Sequence, residues 1–431
     1  MKRVALVAGH YPPSNLAAVH RARLWAAHLP EFGWEPIIVT THHRHYEEAL
    51  DWELSSLAPS AVRVIATAAL PTRPVRVIGD IGIRAWPFHY RALARLAARR
   101  EIDFIHITVP SFYSALLGRP LLRRYGVPYG IDYIDPWVHR WPGADRPFSK
   151  AAASAWLAER LEPWAVREAR LITGVAEEYY RPMLDRNPHL RDRAVTAAMP
   201  YGASDRDFDV VKERSSPATL FDPADGNVHV VYAGAMLPHA YGVLDRLLEA
   251  VAQLRQRDPA TRLRLHFIGT GTTPDDPRGF TVSPRAEERG LAKFVHEHPA
   301  RVPYTTVLNH LVRASAVLVL GSTDRHYSPS KAYQAVQSGR PVLALLHEAS
   351  TAATFLQQAT TGPVVTFGEG MLPDAGRIAG ALADLMAAAA APGTPRLAGS
   401  AAIPEAYTAR GSARALAAAL DEAVSRAPGS P

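Results

Sequence analysis

Tyr327-Ser-Pro-Ser-Lys-Ala-Tyr-Gln-Ala-Val-Gln-Ser-Gly-Arg-Pro-Val-Leu-Ala-Leu345 reads as a loop, a short helix, a glycine turn and a buried strand. Ser328 suits a helix cap and Pro329 the first helical position, where no N–H is missed. Gly339 follows as a stop, and Pro341 opens the next apolar run. Val342-Leu-Ala-Leu-Leu346 is the kind of short apolar strand that a parallel sheet buries on both faces. Free N–H groups at a helix start attract an anion, and Lys331 adds a full positive charge there. Lys331 and Gln334 are three residues apart and so share a helical face. The stretch reads as a cradle for a phosphorylated ligand.

The same alternation runs outward in both directions. Val4–Ala8 is a strand, followed by a loop from Gly9 to Asn15, a helix from Ala17 to Leu29, a break at Gly33 and a second strand at Ile37–Thr41. That βαβ unit implies a parallel sheet. Strands are predicted at 62–66, 104–108, 129–134 and 171–174, with helices at 112–125, 150–169 and 176–184 between the later ones. A polar stretch rich in Pro, Ser and Asp, 206–226, reads as a linker. A second α/β set follows, with strands at 228–232, 263–268, 294–298, 316–320, 342–346 and 363–367. Helices near 375–390 and 410–425 close the chain.

The composition bounds the function. A chain of 431 residues with 48% hydrophobic content holds two full cores. It has no cysteine, which excludes disulfides, thiolate metal sites and cysteine nucleophiles. The apolar run at Val4–Ala8 is too short for a signal segment, and no uncharged apolar run approaches the roughly 20 residues that span a bilayer. A cytoplasmic protein is expected. The net charge of +7 suits phosphorylated ligands, anionic membrane surfaces or nucleic acid. There is no Walker A loop, no GxSxG and no zinc-finger or RNA-binding signature, so no nucleic-acid partner is expected. The histidines show no metal spacing, and no metal or cofactor is expected.

Several positions stand where α/β sheets place their sites, just beyond the carboxyl ends of strands. Gly269-Thr-Gly271 and Tyr232-Ala-Gly234 permit close approach of a phosphate backbone, or of nothing more than a helix. Asp135 in Asp-Pro-Trp137 suits a sugar hydroxyl or a general base, or else caps a turn. Arg21, just after the Ser14-Asn15 loop, either reaches a phosphate or is a solvated helix residue. The segment 81–100 carries five arginines, Arg84, Arg91, Arg95, Arg99 and Arg100, with Trp86, Phe88 and Tyr90. It is either an ordinary surface helix or an interfacial one, giving peripheral contact with an anionic membrane at the inner face.

These pieces, in their order, resemble the GT-B glycosyltransferases of the retaining, family-4-like kind. The resemblance rests on Tyr11-Pro-Pro13, Arg21, Leu29–Pro36, Asp132–Trp137 and Pro200-Tyr-Gly-Ala203 with Phe208. In the second half it rests on Tyr232-Ala-Gly234, Phe267-Ile-Gly269, Val302-Pro-Tyr304, Pro329-Ser-Lys331 and Ser338-Gly-Arg-Pro341. It implies two doubly wound Rossmann-like domains facing across a cleft. Residues 1–205 would bind the acceptor and 227–400 the nucleotide sugar, with 401–431 a helix and tail packing back on the first domain. Carried over, Gly234, Gly269, Tyr304, His326, Ser330, Lys331 and Gln334 would line the donor site. Ser14, Asn15, Arg21, Asp135 and His139 would line the acceptor site, with Asp135 and Lys331 in the chemistry. His326 and Gln334 stand where the family's paired glutamates (E-x7-E) are expected, and Ala235-Met236 where an arginine often follows the first glycine. A glutamine both donates and accepts, so it still suits a ribose hydroxyl.

The expected activity is hexose transfer from a nucleotide sugar to a glycan, lipid-linked or small-molecule acceptor, with retention and without metal, as in bacterial polysaccharide biosynthesis. The competing readings are a nucleotide-sugar epimerase on the same fold and a non-catalytic nucleotide-sugar-binding homologue.

Overall fold

The computed structural model describes residues 1–72, 79–139, 146, 148–214, 218–271, 276–325, 327–360, 362–390 and 403–426. His326 and the segment 393–400 lie outside the described residues. The chain divides into two compact units, Met1–Gly202 with Ala409–Pro431, and Ala203–Thr408.

The first unit is a seven-stranded parallel sheet of β1 (Lys2–Ala8), β2 (Trp34–Thr41), β3 (Arg63–Thr67), β4 (Phe104–Val109), β5 (Tyr129–Tyr133), β6 (Leu171–Gly174) and β7 (Val195–Ala198). Their order is β3-β2-β1-β4-β5-β6-β7. The winding reverses between β1 and β4, which pair from Val4↔Phe104 to Val7↔Ile107. β1, β4 and β5 are buried almost throughout, Asp132 of β5 included. Helices cover both faces of such a sheet, so its central strands meet no water. β7 is four residues long, at the sheet edge and half-exposed. With so little hydrophobic contrast it leaves no sequence signal.

The second unit repeats the plan with β8 (Val228–Ala233), β9 (Leu263–Ile268), β10 (Val295–His298), β11 (Ala316–Leu320), β12 (Val342–His347) and β13 (Val364–Phe367), in the order β10-β9-β8-β11-β12-β13. Every pairing is parallel. β12 is buried at all six positions, as its unbroken apolar sequence requires.

Two stretches differ from the sequence expectation. Within 206–226, read as a linker, the helix Asp205–Arg214 belongs to the second unit. Asp207, Phe208 and Val211 are buried, a spacing of one helical face, and its polar residues are that helix's wet side. Acids in the first turn and bases in the last agree with the helix dipole. The helix after Pro329 starts at Lys331, with Ser330 at its N-cap making no side-chain capping bond. Ser328 does not cap it: its hydroxyl faces that of Thr351 at 2.6 Å.

The closing helix Ala409–Ser425 packs in the first unit. Trp25 Nε1 donates to Ser412 Oγ at 2.9 Å and Trp34 Nε1 to Asp421 Oδ1 at 3.0 Å. Leu416 and Leu420 join the core around Trp25 and Leu29.

Candidate functional site

In the second unit the winding reverses between β8 and β11, and the loop leaving β8 carries Gly234. Gly234 has φ +135°, a conformation L side chains rarely adopt. A Cβ there would lie 2.4 Å from both Cε and Nζ of Lys331. The backbone favours glycine, and any side chain there would displace the end of the lysine. Lys331 Nζ donates to Tyr232 Oη at 2.8 Å and sits 4.5 Å from the centre of that ring. The Tyr232 hydroxyl in turn donates to the Ala235 carbonyl at 3.0 Å. Burial pushes the Tyr232 phenol well above its ordinary value, so it stays protonated and keeps this orientation. Burial pulls the Lys331 ammonium below its ordinary value. Among the described residues no carboxylate forms an ion pair with it. A buried ammonium with one hydrogen bond keeps donor capacity for a bound anion.

Gln334 lies one helical turn from Lys331. Its Nε2 approaches Tyr304 Oη at 3.5 Å, and its Oε1 is buried with no hydrogen-bond partner among the described residues. A buried, unpaired carbonyl is costly to leave unmade, at about 1–3 kcal/mol. Tyr304 opens the helix Tyr304–Arg313 and donates to Asp207 Oδ2 at 3.1 Å. Asp207 also accepts from Ser204 Oγ at 3.1 Å. Gln337, on the same short helix as Gln334, accepts from Ser204 N at 3.0 Å and donates to Asp205 at 3.1 Å. These bonds fix the polar face of the helix Lys331–Gln337.

Gly269 ends β9 with φ +72° and would have no neighbour within 4 Å of a Cβ. It is a turn residue, and nothing presses on it. The loops after β8 and β9 are joined by Gly234 N to Ile268 O at 2.8 Å and Met236 N to Thr270 O at 3.1 Å.

In the first unit, Arg21 neither reaches a phosphate nor meets solvent, contrary to both sequence readings. It is fully buried in a two-pronged pair with Asp132, Nε to Oδ2 at 2.7 Å and Nη2 to Oδ1 at 2.8 Å. Nη1 donates to the carbonyls of Met199 and Pro200, and the guanidinium lies 4.2 Å from the Trp25 ring. Asp132 also accepts from Thr173 Oγ1 at 2.7 Å. Ser14 is likewise unavailable to a ligand: it is fully buried, and its hydroxyl donates to Glu48 at 2.5 Å. Asn15 is half-buried beside it.

Asp135 is exposed just beyond β5. Trp137 behind it is buried and stacks on Phe112 at 6.0 Å, anchoring the turn. His139 Nδ1 lies 2.8 Å from the Pro136 carbonyl. Desolvation by the surrounding protein holds the Asp135 carboxyl above its ordinary value, and His139 works against that shift.

Residues 17–202 match the glycosyl transferase 4-like domain, and residues 227–388 match the glycosyl transferases group 1 family. The chain belongs to the GT-B glycosyltransferases. Its fold is similar to that of a UDP-forming α,α-trehalose-phosphate synthase from Burkholderia xenovorans, at 14% identity over 99% of this chain and 100% of that one, with a TM-score of 0.62. It is similar to Anabaena Alr3699/HepE, solved in complex with UDP-glucose, at 13% identity over 97% and 95% of the two chains, with a TM-score of 0.57. It is also similar to a UDP-GlcNAc 2-epimerase from Neisseria meningitidis bound to UDP-GlcNAc, at 11% identity over 98% and 100%, with a TM-score of 0.51. At such identities the likeness is one of fold. No curated protein sequence matches the chain.

Three side-chain roles in this glycosyltransferase escaped the sequence reading. Tyr232 orients Lys331, and its place at a strand end before a glycine was the available signal. Asp207 supports Tyr304 from a stretch whose polarity hid a helix. Asp132 neutralises Arg21 from a distant strand. In the helix Ile81–Ala98, Arg84 is buried and donates to the carbonyls of Leu70 and His45. Trp86 and Tyr90 stack on each other and pack against the first unit's core. Arg91, Arg95, Arg99 and Arg100 are exposed, and Phe88 between them and Trp86 is half-buried. Among the described residues no helix is long and apolar enough to cross a membrane.

Proposed function

We propose that this glycosyltransferase moves a hexose from a nucleotide diphosphate sugar to a hydroxyl of a glycan, lipid-linked or small-molecule acceptor, with retention at the anomeric carbon and without metal or cofactor. The observation that carries the reading is Lys331, held by Tyr232 against Gly234 at the reversal point of the second sheet. Breaking the bond from sugar C1 to the diphosphate leaves negative charge on phosphate. A partly desolvated ammonium stabilises that charge more than a hydrated one would. Gln334 offers its unpaired Oε1 to a ribose hydroxyl, beside Tyr304. Gly269 and Ser330 shape the backbone around the donor, and His326, a few residues before Ser330 in the sequence, is the remaining donor-site candidate. On the first unit, Asp135 accepts a hydrogen bond from the attacking hydroxyl, and His139 and Asn15 contact the acceptor. Ser14 and Arg21 act only by holding the acceptor loops in place.

The Anabaena relative was solved with UDP-glucose, so uridine donors are the first to test. Calorimetry of nucleoside diphosphates and their sugars against wild type and Lys331→Ala is the decisive experiment. Binding to wild type, lost in the variant, supports the reading; no nucleotide binding to wild type overturns it. Conversion of a nucleotide sugar to its epimer with no acceptor present would replace transfer by epimerisation.

A further inference from the structure

One face of the helix Lys150–Val166 carries side chains that a water-facing helix ordinarily lacks. Trp156, Leu157 and Trp164 are 53%, 37% and 40% exposed, with the exposed Arg160 and Arg167 among them. At 3.6 residues per turn, Trp156, Leu157, Arg160, Trp164 and Arg167 fall within one arc of about 100°. The opposite side, Ala158, Glu162, Ala165 and Val166, is buried. The pattern inverts an ordinary surface helix, whose apolar stripe faces the core and whose outer stripe is polar.

The charge on this face is one-signed apart from Glu159 on its flank. Arg160 lies 4.6 Å from the centre of the Trp156 ring, and Arg119 of the adjacent helix Gly118–Tyr125 lies 5.0 Å from Trp164. Arg123 on that helix pairs with Glu168. Arg124, Arg160 and Arg167 have no carboxylate within 4.0 Å among the described residues. Tryptophan combines a large apolar body with one N–H donor, a combination that favours the boundary between lipid headgroups and acyl chains. Arginines beside it attract anionic headgroups, and their aliphatic stems reach along apolar surface. The helix Ile81–Ala98 has the arginines, but its Trp86 and Tyr90 face the core.

We propose that the outer face of Lys150–Val166 docks the enzyme on an anionic lipid surface, with Trp156, Leu157 and Trp164 entering the headgroup layer and Arg160 and Arg167 holding phosphate headgroups. This stands independently of the donor reading.

The test is sedimentation of the full chain with vesicles of phosphatidylcholine mixed with phosphatidylglycerol, and with phosphatidylcholine alone. Wild type is expected to sediment with the mixed vesicles and much less with the neutral ones. Trp156→Ser/Leu157→Ser/Trp164→Ser and, separately, Arg160→Gln/Arg167→Gln should each lower partitioning by about tenfold. Both variants should keep the wild-type Tm, because the changed side chains are exposed. Arg91→Gln/Arg95→Gln/Arg99→Gln on the other basic helix should bind as wild type does. The proposal falls if wild type stays in the supernatant, or if the two variants partition as wild type. It also falls if light scattering shows a wild-type dimer that the triple serine variant converts to monomer, since a second copy would then cover the face.

Discussion

Lys331 and Tyr232 are joined at 2.8 Å across 99 residues of sequence, and the lysine side chain fills the space a Cβ at Gly234 would need. One residue supplies charge, one orients it and one makes room. Each contribution is separable by substitution. Lys331→Ala should weaken nucleoside diphosphate binding by about 10- to 100-fold, the worth of one charge-assisted hydrogen bond of about 1.5–3 kcal/mol. Tyr232→Phe keeps the charge and loses its tether, so it should cost about tenfold or less. Calorimetry on both variants checks the ranking; a larger loss from Tyr232→Phe would contradict it.

Gly234→Ala should mimic loss of the lysine. The new Cβ overlaps the end of Lys331 and holds a strained φ, at about 1–3 kcal/mol of stability. Residues in direct contact couple. Once Lys331 is already alanine, adding Gly234→Ala should therefore weaken donor binding little further. Full additivity in the double-mutant cycle would place the lysine elsewhere.

The lowered Lys331 pKa gives a signed pH dependence. Its burial penalty is present below the folded-state pKa and is relieved as pH rises past that value toward the unfolded one. Phosphate favours the ammonium, so donor affinity should be highest on the acid side and fall as pH rises through the lowered pKa. In the alkaline range, binding should take up protons. Titrations in buffers of different ionisation enthalpy would detect this uptake, and Lys331→Ala should abolish it.

The Arg21–Asp132 pair predicts a stability effect, not an acceptor effect. Arg21→Ala strands a buried carboxylate and should destabilise the first unit by about 3–5 kcal/mol. Replacing both partners with apolar residues, Arg21→Met/Asp132→Leu, should recover much of that loss. Denaturant unfolding reads both. A raised acceptor KM with unchanged stability would return Arg21 to the site.

What the sequence revealed follows from which forces act locally. β12 and the helix before it were legible because a buried parallel strand is an unbroken apolar run, and Gly339 and Pro341 bracket the turn between. The helix start was misplaced by two residues because Ser328 turns to Thr351, a contact between separate elements. Asp205–Arg214 was hidden because composition is blind to spacing, while Phe208 and Val211 were already one face apart. Arg21's fate was illegible because its partner is 111 residues away. Lys331 is legible as a candidate from its own helix, but the tyrosine that orients it lies on another strand. In the basic helix at 81–98, composition gives the aromatics without saying that Trp86 and Tyr90 pack on the core.

Asp135 gives the sharpest test of the acceptor side. It is exposed beyond β5, on a turn pinned by buried Trp137, and its carboxyl is held above the ordinary carboxylate value by the protein crowding it. A carboxyl must be ionised to accept without donating, so transfer should fail as pH falls through this raised pKa. The acid limb of kcat/KM should therefore lie above the usual carboxylate range. His139 opposes the shift through its charge, so His139→Gln should move the limb further up. Asp135→Asn keeps the shape and removes the charge. It should lower kcat by about 100-fold or more, flatten the acid limb and leave the donor Kd unchanged, because the proposed donor contacts are Lys331 and Gln334. Pre-equilibrium donor binding and initial-rate pH profiles separate these effects. An Asp135→Asn enzyme that keeps the wild-type acid limb would assign the proton to another group.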